Sequence, residues 1–366
     1  MAHKTHVSIP HWSWLAPGAG GVLIALAFAG VVAGGSGLVS AMAAILLGAA
    51  VFAAVHHAEV LAVRVGEPFG SIILAVAVTV IEVALIVSIM LSDASGTAVV
   101  ARDTVFSAVM IVLNAVIGLC LVFGGQRHRE QSFQLDAASA GLAVLGTLAV
   151  MAMVLPNFVR GGPEGGLAPV QLIVVGIVCL ALYAVFVFVQ TVRHRDYFLD
   201  LAGEDDAGAD EPPPSNRVTM ASAILLPLSL LAVILLAKLL SYPLEKAVHA
   251  AGLPQAVVGV VIAAVVLLPE GIASVRAALL NRLQSSVNLV LGSALASIGM
   301  TVPVVAAISV LMHRDLTLGL IGKDIVLLLL TLFVSTITLG TGRTTVLQGA
   351  VHLGIFAVFI LLSAVP

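Results

Sequence analysis

The chain has 366 residues, of which 60% are hydrophobic and only 10% charged, with a formal net charge of -3 and a mean hydropathy of +1.17. Soluble domains carry about 25% charged residues, and a globule of the present composition could not clothe its surface in polar groups. A cytosolic enzyme, a nucleic-acid binder and a disordered chain are excluded, which leaves a polytopic membrane protein.

A hydrocarbon core of about 30 Å is crossed by about 20 apolar residues in a helix. On that rule the sequence predicts about eleven transmembrane helices, at roughly 15–33, 37–57, 70–92, 104–125, 137–156, 168–192, 220–240, 254–279, 286–311, 318–339 and 344–364. Uninterrupted apolar runs specify an all-α bundle rather than a barrel, whose strands would alternate polar and apolar residues. The 34 glycines allow helices to approach closely in lipid. Ala27-Phe28-Ala29 resembles a signal-peptide cleavage site, but a bundle follows immediately and an uncleaved first span serves equally well. Gly34-Gly35-Ser36-Gly37 has the look of an intramembrane serine protease sequence, yet it joins two spans without a matching histidine span and reads as a tight loop.

The longest polar stretch runs from Arg193 to Asn216. It holds Glu204, Asp205, Asp206, Asp210 and Glu211, then three prolines. Such a segment buries too little apolar surface to fold and reads as an acidic linker. It divides the spans after the first into five and five. Halves with an odd number of spans insert in opposite orientations, which is the arrangement of an inverted-repeat transporter. The expected organisation is therefore an N-terminal segment with the first helix (1–36), a first five-helix repeat (37–192), the linker (193–219) and a second five-helix repeat (220–366). Of the 16 Lys and Arg residues, ten fall on the side of the N-terminus and linker. The positive-inside rule places that side in the cytoplasm and the C-terminus outside, in a bacterial-type inner membrane.

Nearly all 19 acidic residues fall in loops or at span ends. Glu82, near the middle of the third span, and Glu270, deep in the eighth, do not. A carboxylate at bilayer depth costs several kcal/mol and marks ion pathways or proton relays. The bland alternative is a protonated glutamate bonding another helix. Two such residues, each in the second span of its half, argue for the functional reading. Pro269 and Gly271 flank Glu270 and predict a broken or kinked helix there, whose freed carbonyls suit a hard cation. Ser293, Ser297 and Thr301 share a face of the ninth span, and Ser107 and Asn114 share one in the fourth. Their oxygens are candidate cation ligands, although polar residues of this kind also bond helix to helix. His57 and Glu59, at the predicted cytoplasmic end of the second span, and His352 in the last are weaker candidates for gating or pH sensing. Ordinary interfacial polarity is the simpler account of the first two. Cys120 and Cys179 lie in apolar runs, away from any thiolate metal pattern. No Walker loop or dinucleotide fingerprint is present.

These residues together resemble the cation/calcium exchanger superfamily, most closely its bacterial ChaA-type calcium/proton and sodium/proton antiporters. The likeness is carried by His57-Ala58-Glu59-Val60-Leu61-Ala62, Gly66-Glu67-Pro68, Arg102-Asp103-Thr104, Leu268-Pro269-Glu270-Gly271, Gly292-Ser293, Thr301-Val302-Pro303, Gly342-Arg343-Thr344 and His352-Leu353. In that superfamily each inverted repeat carries a Gly-Asn-x-x-Glu motif whose glutamate binds cation or proton. Glu82 and Glu270 stand at those glutamates, and Thr79 and Leu267 replace the asparagines. The resemblance implies secondary antiport by alternating access, with Glu82 and Glu270 taking cation or protons at the midplane. Calcium is the favoured cargo, and sodium or potassium are further ones. It implies no cofactor and no nucleic-acid partner; inorganic cations, protons and the lipid bilayer are the partners. The rival expectation is a cation channel with the glutamates as its selectivity filter.

Overall fold

The computed structural model describes residues 9–32, 36–66, 69–90, 97–160, 162, 165–198 and 214–365. The acidic residues Glu204 to Glu211 and the Gly34-Gly35 pair lie outside the described residues. Among the described residues, eleven long helices follow one another: α1 (His11–Phe28), α2 (Gly37–Val65), α3 (Phe69–Met90), α4 (Ala98–His128), α5 (Leu135–Asn157), α6 (Pro169–Arg193), α7 (Asn216–Ala250), α8 (Ala256–Leu279), α9 (Leu283–Met312), α10 (Gly322–Leu339) and α11 (Val346–Ala364). All but α1 are long and apolar enough to cross a membrane. The first helix begins four residues before the predicted span and opens on His11-Trp12-Ser13-Trp14, which dilutes its apolarity. Strand content among the described residues is confined to pairs such as β1 (Gln131–Ser132), just after α4, with β2 (Arg343–Thr344), just before α11.

The helices form two compact units that cut across the sequence halves. The first contains α1, α2, α3 and α7 as far as Ala247. Ser36 caps α2 by accepting from the Val39 amide, which satisfies one of the amides left open at a helix start. The helix then continues two turns beyond its predicted end at residue 57, because Ala58, Glu59, Leu61 and Ala62 are strong helix formers. Where Gly20 of α1 meets α7, a Cβ would sit 3.0 Å from Leu236 Cδ1, so the missing side chain sets how near the two helices come.

The second unit holds α4 to α6 and α8 to α11. Here α8 lies along α4 and α9, and α11 lies along α4. One close approach is at Gly349 of α11, where a Cβ would stand 2.8 Å from the Gly118 carbonyl oxygen and from Val122 N. Facing it, a Cβ on Gly118 would meet the Leu353 side chain at 2.9 Å.

Of the two forms expected around Glu270, a broken or a kinked helix, the break is not made. Helix α8 runs unbroken through Pro269. Proline deletes one hydrogen bond, to Val265, but its φ suits a helix and neighbours on both sides hold the ladder. The irregular turns lie elsewhere: π-helical segments occupy Ile111–Val116 in α4, Val150–Val154 in α5, Val189–Arg193 in α6 and Ser297–Thr301 in α9. Arg102 and Asp103 also lie inside α4 rather than in a loop.

Candidate cation site

In the first unit, Glu82 stands on α3 with only 4% of its surface exposed, among the buried Ile81, Leu85 and Ile86. Val80, two residues earlier, faces outward, so the carboxylate belongs to the packed side of the helix. Thr79 lies three residues before it on the same side and is buried; its hydroxyl donates to the Ala75 carbonyl at 2.8 Å. On α2, His57 is fully buried. Its Nδ1 lies 3.1 Å from Ser222 Oγ on α7, and its Nε2 lies 3.1 Å from the Ser13 carbonyl on α1. The ring thereby ties three helices together. Glu59, two residues on, is exposed.

In the second unit, Glu270 is 8% exposed on α8, flanked by the buried Leu267 and Pro269 while Leu268 faces out. Ser274, one turn further and so on the same face, is buried, and its hydroxyl has no hydrogen-bond partner among the described residues. The next residue after Glu270 is Gly271, where a Cβ would touch Val116 of α4 at 3.4 Å. Ser107 is buried on α4, and Ser297 and Thr301 are buried in the π segment of α9. Ser293, a turn earlier, is half-buried. The hydroxyls of Ser293 and Thr301 have no hydrogen-bond partner among the described residues.

Asn114 does not present its amide as an open ligand. Its Nδ2 donates to Thr331 Oγ1 at 2.9 Å, and its Oδ1 lies 3.2 Å from His352 Nδ1. The other ring nitrogen of His352 lies 3.1 Å from Thr338 Oγ1. Asn114 and His352, read separately from the sequence, are thus brought together. The hydroxyl row Thr331, Ser335 and Thr338 on α10 adds polar residues that the sequence reading does not single out, and their helical spacing is the signal for it.

At one end of α4, Arg102 Nε donates to Asp103 Oδ1 at 2.7 Å, and its Nη1 donates to the Gly319 carbonyl at 3.2 Å. Asp103 is buried, and Gly259 of α8 presses on it: a Cβ there would sit 2.9 Å from Asp103 Cβ. Among the described residues, no group of three or more His, Cys, Asp or Glu side chains is placed to hold a metal ion.

A bundle of apolar helices that buries acidic residues deep in its spans defines a multi-pass membrane protein of the ion-transporter class. The chain belongs to the sodium/calcium exchanger protein family, whose model matches residues 35–192 and 221–365. It is 65% identical to the protein y4hA of Sinorhizobium fredii over 361 residues, covering 98% of this chain and 97% of that one. It is 36% identical over 314 residues to the sodium-potassium/proton antiporter ChaA of Escherichia coli, covering 85% and 84% of the two chains. The fold is similar to the solved structure of native YfkE, with a TM-score of 0.74 at 17% identity, covering 97% of this chain and 100% of that one. The chain is accordingly a ChaA-type member of the cation/calcium exchanger superfamily.

Proposed function

We propose that the protein exchanges a cation for protons across a bacterial cytoplasmic membrane by alternating access, with Glu82 and Glu270 binding cation or proton in turn. The observation that carries the reading is the burial of one glutamate in the second membrane span of each half. A buried carboxylate is tolerable when it holds a proton or a cation and costly when it holds neither. Proton and cation therefore compete for the same oxygens, and cation binding releases protons. A reluctant crossing of the empty, charged site would make the protein an exchanger rather than a leak. Calcium is the favoured cargo, because carboxylates and hydroxyls, Thr79 on the helix of Glu82 and Ser107, Ser293 and Ser297 in the unit of Glu270, are hard oxygen ligands of the kind it takes. Sodium and potassium are further cargo, in keeping with the antiporter named for the Escherichia coli relative. The N-terminus and acidic linker face the cytoplasm in this reading.

Reconstitution in proteoliposomes tests it. An outward gradient of calcium, sodium or potassium should drive protons the other way, followed with an internal pH dye. Rising pH should raise apparent cation affinity. Glu82→Gln and Glu270→Gln should each abolish exchange while leaving insertion intact, since glutamine keeps the shape but can neither release a proton nor balance a cation. Current without obligatory proton movement would instead identify a channel. Exchange that survives in both variants with the parent's pH response would show that other groups carry the charge.

A further inference from the structure

Three oxygen-bearing groups stand one turn apart along α8, all within the second unit. Glu270 is the first and Ser274 the second. At Ala278 the third is Gln131, whose Nε2 donates to the Ala278 carbonyl at 2.9 Å. All three are buried, and Ser274 is completely enclosed. Hydroxyls elsewhere in the bundle turn back onto the carbonyl four residues earlier, as Thr79 does to Ala75, Thr147 to Ala143 and Thr191 to Val187. Ser274 does not: its Oγ, like Gln131 Oε1, has no hydrogen-bond partner among the described residues. Buried oxygens are nearly always paired, so two orphans at successive turns of one helix call for a reason. The neighbouring helices mark the same file. A Cβ on Gly271 would touch Val116 at 3.4 Å, and a Cβ on Gly124 would lie 3.4 Å from the Ala278 oxygen, so α4 and α8 run side by side in one direction between these points. Cys120, midway between Val116 and Gly124, stands at the level of Ser274, and its Sγ accepts from the Ser286 hydroxyl of α9 at 3.1 Å. Beyond Ala278 the file reaches the surface, because Gln131 Nε2 also donates to Oδ1 of the exposed Asn281 at 3.0 Å.

We infer that Ser274 is a proton-relay residue, whose hydroxyl carries protons between Glu270 and the Asn281 end of α8. The inference rests on the antiport reading for the role of Glu270. One helical turn rises about 5.4 Å, and a water bonded to both neighbours spans about 5.6 Å, twice an O–H···O distance. Water admitted to the file during the transport cycle therefore links each group to the next. Protonated Glu270 gives its proton to the water in the first gap. That water passes a proton to Ser274 Oγ, and the serine's own hydroxyl proton moves to the water in the second gap, beside Gln131 Oε1. Glu270 is left as the carboxylate that a cation neutralises, and the reverse sequence reloads it. A hydroxyl serves here because one oxygen both accepts and donates.

The test is exchange by the full-length protein in proteoliposomes, driven by a calcium or sodium gradient and followed with an internal pH dye in ordinary and in heavy water. Ser274→Ala removes the relay oxygen and should slow exchange by about tenfold or more while the KM for the cation stays within about twofold of the parent's. The solvent isotope effect should rise, because proton transfer becomes the slow step. The heating midpoint of this variant should not fall, since the hydroxyl it removes has no partner to lose. Ser274→Thr keeps a hydroxyl at the same position and should restore most of the rate; if its added methyl prevents insertion, the alanine variant decides alone. A parental rate in Ser274→Ala, a slowed rate with an unchanged isotope effect, or an inserted Ser274→Thr no faster than Ser274→Ala overturns this inference and leaves the antiport reading in place. No cation-driven proton movement in the parent overturns both.

Discussion

Gly259→Ala measures how much the second unit depends on the contact between α4 and α8. The added Cβ would stand 2.8 Å from the Asp103 carbonyl carbon and 2.9 Å from Asp103 Cβ and Thr104 N. None of these atoms can swing aside, since all belong to the backbone of α4 or are fixed to it. Ordinary contact begins at 3.4 Å, so the two helices must part by about 0.6 Å. Overpacking of this kind costs about 1–3 kcal/mol, and alanine returns up to about 1 kcal/mol through its better helix propensity. The net expectation is a loss of about 1–2 kcal/mol. Two glycines serve as internal controls. At Gly292 nothing lies within 4 Å of the new carbon, and at Gly271 the contact is an ordinary 3.4 Å. Both alanine variants should be as stable as the parent or slightly more so. The assay is the midpoint for loss of monodisperse protein on heating in detergent, at a fixed scan rate because membrane-protein unfolding is commonly irreversible. A Gly259→Ala midpoint at or above the parent's, with both controls behaving as expected, would refute the reasoning.

Three further outcomes are expected. His57→Ala strips the ring from Ser13 and Ser222 and should lower the stability of the first unit by about 2–4 kcal/mol, seen as faster proteolysis near α1. Arg102→Leu leaves the buried Asp103 carboxylate unpaired and should destabilise by about 3 kcal/mol, with Asp103→Asn in the same chain restoring part of the heating midpoint. Cys120 and Cys179 are both buried and should resist a membrane-permeant maleimide until the protein is unfolded, as read by mass spectrometry.

Most of the helix pattern was legible in the sequence, since a membrane span is a matter of length and apolarity, and the predicted spans 137–156 and 168–192 differ little from the helices α5 and α6. The burial of Glu82 and Glu270 was legible for the same reason: both sit well inside their spans. Burial and bonding that depend on distant neighbours were not. His57 looked interfacial because the apolar run ends beside it, yet α1 and α7 enclose the position. Asn114 is a candidate ligand because an amide oxygen is a good one, but the partners that its side chain meets, Thr331 and His352, lie more than two hundred residues away, on α10 and α11. Proline marked a break that the packed helix does not make. The π turns carry no proline and no local pattern that would announce them.

Gly118 and Gly349 meet at one crossing but stand in unequal positions with respect to change. The nearest atoms to an alanine at residue 118 are those of the Leu353 side chain, followed by the Gly349 carbonyl oxygen at a tight 3.2 Å. Shortening Leu353 therefore removes the chief obstacle, so the chain has a route back through a second substitution. Alanine at residue 349 meets the oxygen of Gly118 and the amide nitrogen of Val122, which no substitution can trim. The partner glycine is already as small as a residue can be. One side of the crossing can drift with a compensating partner, and the other can be reverted but not repaired.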